Sequence, residues 1–242
     1  MSTQKERADA FAKLHVKGSP LVLFNIWDAG SARTIEQAGA KAIATGSWAV
    51  AAANGFEDGE KTPLELALKN LERIVATVAL PVTLDFEGGY ATHASELKEN
   101  IRKVIAAGAV GINFEDQIVG GDGLYAIEDQ SARIKTVREA SDEASIPLFI
   151  NARTDVFLKT YPREHDEIDL EEAVQRAQAY AEAGASGLFA PGLRDQEFIK
   201  ELCERSPVPV NIMVLPDTPL PTPWEPTWES SGALAPSAGS SI

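Results

Sequence analysis

The chain has 242 residues, 44% hydrophobic and 24% charged, which is enough for a sizeable core in one large α/β domain. Its formal net charge of -14 argues against nucleic acid or an anionic membrane surface as a partner. A single cysteine, Cys203, excludes an internal disulfide and fits a reducing compartment, and no run is apolar and long enough to span a bilayer, so a soluble, cytoplasmic protein is expected.

Taken in chain order, "MSTQKERADAFAKLHVKG" reads as an amphipathic helix and not as a targeting segment. Strands are expected at 21–26 ("LVLFNI"), 41–45 ("KAIAT"), 81–86 ("PVTLDF"), 110–115 ("VGINFE"), 147–152 ("PLFINA"), 186–190 ("SGLFA") and 208–213 ("VPVNIM"). Helices alternate with them. One starts at about Ala29. A second is signalled by Thr62 as N-cap, Pro63 at the first helical position and Glu65 completing a capping box. Another ends at Gly108, one covers roughly 128–144, one follows the capping signature Asp169/Glu172, and one lies near 195–205.

Strict βα alternation with almost wholly apolar strands means a parallel sheet covered by helices. Seven units approach the eight of a TIM-type (β/α)8 barrel, over residues 1–215. A doubly wound open sheet is the alternative, weakened by the absence of a glycine fingerprint after the first strand. Residues 216–242 are rich in Pro, Ser and Gly and show no strand or helix periodicity, so a disordered tail, carrying Trp224 and Trp228, is expected where an eighth βα unit should lie. Either the barrel is incomplete or a second copy closes it, and a homo-oligomer (dimer or tetramer) is expected.

Side chains alternate along a strand, so parity groups Thr83, Asp85 and Glu87 on one face, then Asn113 with Glu115, then Asn151 with Arg153, with Asn211 late in the seventh strand. Three carboxylates with no histidine or cysteine make a hard oxygen site suited to Mg2+ or Mn2+. From spacing alone the same acids read equally as helix caps or partners of surface lysines. Arg153 offers a planar fork for a substrate carboxylate or phosphonate, or else a structural partner for Glu115. The stretch 44–63 reads as a long Gly/Ala-rich loop, a lid carrying Asp58 or a small-residue turn, and 119–127 as a second Gly-rich loop without the lysine of a Walker cradle.

"NIWDAGSARTIEQAGAKAIATGS", "NGFEDGE", "VTLDFEGGY", "GINFEDQ" and "NARTD", in that order, resemble the isocitrate lyase/phosphoenolpyruvate mutase superfamily over about residues 20–215. The resemblance implies a (β/α)8 barrel that uses Mg2+ to cleave or form C–C or P–C bonds of 2-oxo or hydroxy carboxylates, by way of an enolate- or oxalate-like species held on the metal. It implies Asp85 as direct metal ligand and Glu87, where the family usually has aspartate, with Glu115 completing the shell. Arg153 would hold the substrate carboxylate, the backbone N–H groups of Thr45, Gly46 and Ser47 its oxygens, Asp58 would be the acid on the gating loop, and Asn211 would bind substrate.

The chain also departs from this family. Isocitrate and methylisocitrate lyases carry a Lys/Arg-Cys-Gly-His loop after strand four, where this chain has "QIVGGDGLYAI". The phosphonate branch uses a lysine in that loop and a histidine after strand six, where Pro191 stands here. The expectation is a Mg2+-dependent lyase of a small 2-oxo or hydroxy di- or tricarboxylic acid, of decarboxylase or retro-aldol type. A phosphonate-branch enzyme and a non-catalytic barrel that binds a 2-oxo acid are the alternatives.

Overall fold

Eight short parallel strands run in the order β1 to β8, each hydrogen-bonded to the next, in a computed structural model that describes residues 2–214 and the backbone of a strand at 234–236. The strands are β1 (Asn25–Ile26), β2 (Ile43–Thr45), β3 (Val82–Asp85), β4 (Gly111–Glu115), β5 (Phe149–Arg153), β6 (Gly187–Phe189), β7 (Val210–Val214) and β8 (Leu234–Pro236). The helices are α1 (Gln4–Lys13), α2 (Ala29–Gln37), α3 (Ser47–Ala53), α4 (Leu64–Thr77), α5 (Ala94–Ala106), α6 (Ile127–Glu143), α7 (Glu167–Glu182) and α8 (Gln196–Arg205). The curled sheet is barrel-like, and among the described residues no ladder joins β8 to β1. None of the described helices is long and apolar enough to cross a membrane.

One face of the strands is apolar because helices cover it. Ile43, Val82, Leu84, Ile112, Phe114, Ile150, Leu188 and Ile212 are buried in one cluster with residues of α4 to α8. The other face is layered. Thr83, Gly111 and Phe149 are in register at the bottom, Asp85, Asn113, Asn151 and Gly187 above them, and Glu115, Arg153, Phe189 and Asn211 above those. The sheet interior is thus apolar below and polar above, as parity predicts for strands whose C-terminal ends carry a site.

The N-terminal helix seals the apolar end. Thr3 and Glu6 close a capping box on α1, and its buried face presents Ala8 and Phe11. Phe11 packs edge-on against Phe149 with ring centroids 5.2 Å apart, within a cluster that includes Leu21, Leu23, Ala42 and Ala44. The expected amphipathic helix therefore serves as a plug.

Four local expectations are corrected. The expected strand 21–26 is a strand only over Asn25–Ile26, with an isolated bridge at Val22. Pro63 has φ -55 and ψ 134, an extended conformation, so it is the N-cap of α4, the helix starts at Leu64, and no side chain caps it. Asp166 caps α7 three residues before the expected position, accepting from the N–H of Ile168 and Asp169. The loop expected over 44–63 begins with the helix α3. The expectation of a strandless 216–242 differs from the structure at β8, which pairs in parallel with β7; Trp224 and Trp228 lie outside the described residues.

Phe11→Ala should cost about 3–5 kcal/mol, the usual range for truncating a buried aromatic. At about 2–4 °C per kcal/mol for a chain of this size, thermal denaturation should show a drop of roughly 6 °C or more. A drop below about 2 °C would show that α1 does not seal the sheet.

Candidate functional site

The site is built where the inward strand positions turn polar. Asp85 ends β3, and the N–H of Ser47, the first residue of α3, donates to its Oδ2 at 2.9 Å. Thr45 Oγ1 accepts from the Asp85 backbone N–H at 2.9 Å, which locks β3 to β2 at that point. The other carboxylate oxygen, Oδ1, is buried and has no hydrogen-bond partner among the described residues. A buried oxygen anion left this way is costly unless a cation or water meets it.

Glu115 and Arg153 occupy the next layer. Arg153 Nη1 lies 3.0 Å from Glu115 Oε2, while Nε and Nη2 form a two-point contact with Asp155 at 2.6 and 2.9 Å. Burial opposes the charge of Arg153, but Asp155 and Glu115 outweigh it and hold the guanidinium firmly protonated. Of the two readings of Arg153, the pairing with Glu115 is the one these contacts show. Asp155 is itself set by Asp116, a fully buried carboxylate that accepts the Asp155 N–H at 3.0 Å, Arg176 Nη1 at 3.0 Å and the Tyr180 hydroxyl at 2.8 Å.

Glu87 lines a cavity together with Thr45, Ser47, Thr62, Asn70, Asp85 and Tyr90. Its Oε2 accepts from the Glu60 N–H at 2.6 Å and its Oε1 from the Tyr90 hydroxyl at 3.1 Å. Asp58 is exposed on the loop above and lies near enough to press on both Asp85 and Glu87 electrostatically. Asn151 Nδ2 donates to Asn113 Oδ1 at 2.8 Å, and Asn211 is buried with its Oδ1 unpartnered, in register beside Phe189.

The structure thus brings Asp85, Glu87, Asp58, Glu115 and Arg153 to one rim. It does not leave the turn 45–47 as expected. The Ser47 N–H is already given to Asp85 and the Gly46 N–H to Ile26 O at 3.3 Å, because the turn runs straight from β2 into α3. Sequence reading missed Glu60, Tyr90, Asp155 and Asp116. Asp155 was findable, two residues after Arg153; Glu60 and Tyr90 act through loop geometry that no spacing announces.

Among the described residues no three His, Cys, Asp or Glu side chains are gathered as a ready metal cluster. The donors fit a hydrated ion instead. Mg2+ keeps several waters and needs only one or two carboxylates, and Asp85 Oδ1 is a free, buried oxygen anion of that kind.

Burial pushes Glu115 up to about 8, against the pull of Arg153, and Glu87 up to about 7, against the Glu60 N–H; it raises Asp85 as well. Glu115 and Glu87 are 4% and 6% exposed, so solvent does little to relieve them.

Residues 11–225 match the family described as phosphoenolpyruvate phosphomutase. The chain is 30% identical over 219 residues to 2-methylisocitrate lyase of Escherichia coli (strain K12), covering 87% of this chain and 71% of that protein. The crystal structure of a provisionally designated phosphonomutase from Burkholderia cenocepacia J2315 superposes with a TM-score of 0.91 at 46% identity, covering 97% of this chain and 92% of that one. A 2,3-dimethylmalate lyase structure shares the fold at a TM-score of 0.81 and 21% identity, covering 97% of this chain and 81% of that one.

The raised acids give a pH dependence for the metal-free protein. The folded chain keeps protons on Glu87 and Glu115 that the unfolded chain releases near the ordinary value of 4.5. The folded state binds more protons over that window, so stability is greatest at its acidic end and falls as pH rises through about 7 to 8. Melting in EDTA should be roughly 3–10 °C lower at pH 8.5 than at pH 6, and Glu115→Gln should flatten the slope. A melting temperature that rises over this range would contradict the assignment.

Proposed function

Because the chain belongs to the isocitrate lyase/phosphoenolpyruvate mutase superfamily, we propose that it is a Mg2+-dependent lyase that cleaves a C–C bond of a small 2-oxo or hydroxy di- or tricarboxylic acid, by a decarboxylase or retro-aldol step. The observation that carries this reading is Asp85 Oδ1, an unpartnered buried carboxylate oxygen one layer below Glu115 and Arg153. When bound, Mg2+ would supply Lewis acidity, stabilising the negative charge that appears on a carbonyl oxygen as the adjacent bond breaks.

Each residue has a part that follows from its contacts. The Ser47 N–H holds Oδ2 of Asp85, which leaves Oδ1 as the oxygen that would meet the ion. Arg153 binds the substrate carboxylate. Asp155 grips two of its nitrogens from behind and keeps the fork oriented, so the Glu115 side at Nη1 is the side that yields to substrate. Glu115, so displaced, would be free to act as a hydrogen-bond acceptor beside the ion. Asp58 rides on the loop above and excludes solvent with it.

The loop after β4, which in the lyases named in the resemblance carries an acid, is here a tight turn closed by the Gln117–Leu124 bridge and the Ile118 N–H to Gly123 O bond at 3.0 Å. It offers neither cysteine nor lysine, which suits a step that asks for little proton transfer from the protein. A second reading, P–C bond cleavage, is favoured by the 46% identity to the Burkholderia phosphonomutase.

A panel of 2-oxo acids, malates and phosphonates, assayed with Mg2+ for 2-oxo acid or phosphate release, decides between them. The proposal expects a carbon substrate, loss of turnover in EDTA, and a fall in kcat on the order of 100-fold or more for Asp85→Ala. Undiminished turnover by Asp85→Ala, or turnover in EDTA, would overturn it. Phosphate release from a phosphonate alone would favour the second reading.

A further inference from the structure

Three of the four non-glycine residues at positive φ among the described residues are Glu60, Glu87 and Tyr90, at φ 58°, 49° and 53°. Side chains disfavour that conformation, and residues held in it cluster where surrounding contacts over-determine the backbone. These three are also bonded to one another. The Glu60 N–H donates to Glu87 Oε2 at 2.6 Å, the Tyr90 N–H donates to Glu60 Oε1 at 2.7 Å, and the Tyr90 hydroxyl donates to Glu87 Oε1 at 3.1 Å. Each left-handed turn points an N–H or a carboxylate at the next member of the ring.

The ring joins two separate loops, the one between α3 and α4 that carries Asp58 and the one after β3 that carries Glu87. The second loop is a firm mount. Arg133 of α6 donates to Ala91 O at 3.0 Å and to Gly88 O, and its guanidinium sits over the rings of Phe114 and Tyr125. Gly88 leaves room for its neighbours here. A Cβ would stand 3.1 Å from Glu60 Oε1 and 2.9 Å from Val119 Cγ2, so the loop after β4 closes on the same point.

We infer that Glu60, Glu87 and Tyr90 form a clasp that fastens the Asp58 loop over Asp85, with Glu87 acting as the latch. The length of the glutamate is what the clasp uses. Its carboxylate extends to the Glu60 amide on the opposing loop, and an aspartate would fall one methylene short of that amide. Glu87 is thus a positioning residue, with both oxygens committed to the loops. What the clasp does for catalysis rests on the lyase reading above; the clasp itself does not.

Amide hydrogen exchange of the metal-free, substrate-free protein tests it, so failure of the lyase reading leaves this test intact. Glu87→Asp should speed exchange of the Glu60 amide at least tenfold while leaving the Ser47 amide, which is bonded to Asp85, within about twofold. Glu87→Gln, which keeps the length and one acceptor oxygen, should restore protection to within about threefold of the parent. Glu60→Gly, which eases the left-handed backbone and deletes only the acceptor, should speed the Tyr90 amide at least tenfold, and this arm stands even if the Glu87 variants fold poorly. Unchanged exchange at Glu60 in Glu87→Asp, or equal acceleration of Glu60 and Ser47, would overturn the clasp, as would an unchanged Tyr90 amide in Glu60→Gly.

Discussion

Everything at the rim depends on how Asp85 is held. One of its oxygens is satisfied by the first N–H of α3 and the other by no group among the described residues. That asymmetry comes from the βα connection. β2 passes into α3 with one intervening residue, so the helix N-terminus, with its unsatisfied N–H groups, abuts the end of β3. A longer loop would have left both oxygens to solvent. Because the helix supplies one donor and burial denies water to the other oxygen, the site is short of positive charge where a divalent cation would meet it.

The second organising contact is the row Glu115, Arg153, Asp155, Asp116. An arginine between two carboxylates is fixed more tightly than a substrate-binding group needs, and the excess is directional. Asp155 takes two nitrogens and is braced by Asp116, Arg176 and Tyr180, whereas Glu115 takes one. A buried pair of this kind contributes little net stability once desolvation is counted, and its value lies in geometry. The rim thus separates into a half in which Asp155 holds two nitrogens of Arg153 and a half in which Glu115 holds one.

Much of this was legible in the sequence. Parity along β3, β4 and β5 predicted that Asp85, Asn113, Glu115, Asn151 and Arg153 face one way, and the register bears this out because a strand allows only two faces. The αβ alternation was legible for the same reason. What could not be read was anything decided by loops. Pro63 shifts the start of α4 through its extended ψ, α3 occupies a stretch whose small residues read as loop, and the Gly46 and Ser47 amides are consumed by their neighbours. The role of Glu87 turns on Glu60, 27 residues away, and on three left-handed backbones for which no residue type is a signal. β8, in a stretch without strand periodicity, was equally invisible.

The central claim is that Asp85 Oδ1 is the oxygen that receives the metal. Crystals soaked in Mn2+ and measured for anomalous scattering test it directly, because Mn2+ takes hard oxygen ligands as Mg2+ does and its position is seen without reference to activity. The account predicts one peak at about 2.1 Å from Asp85 Oδ1, with water completing the shell and Glu87 still bonded to the Glu60 N–H. A peak on Glu115 or Glu87 that leaves Asp85 Oδ1 uncoordinated, or no peak at the rim at a saturating soak, would contradict it.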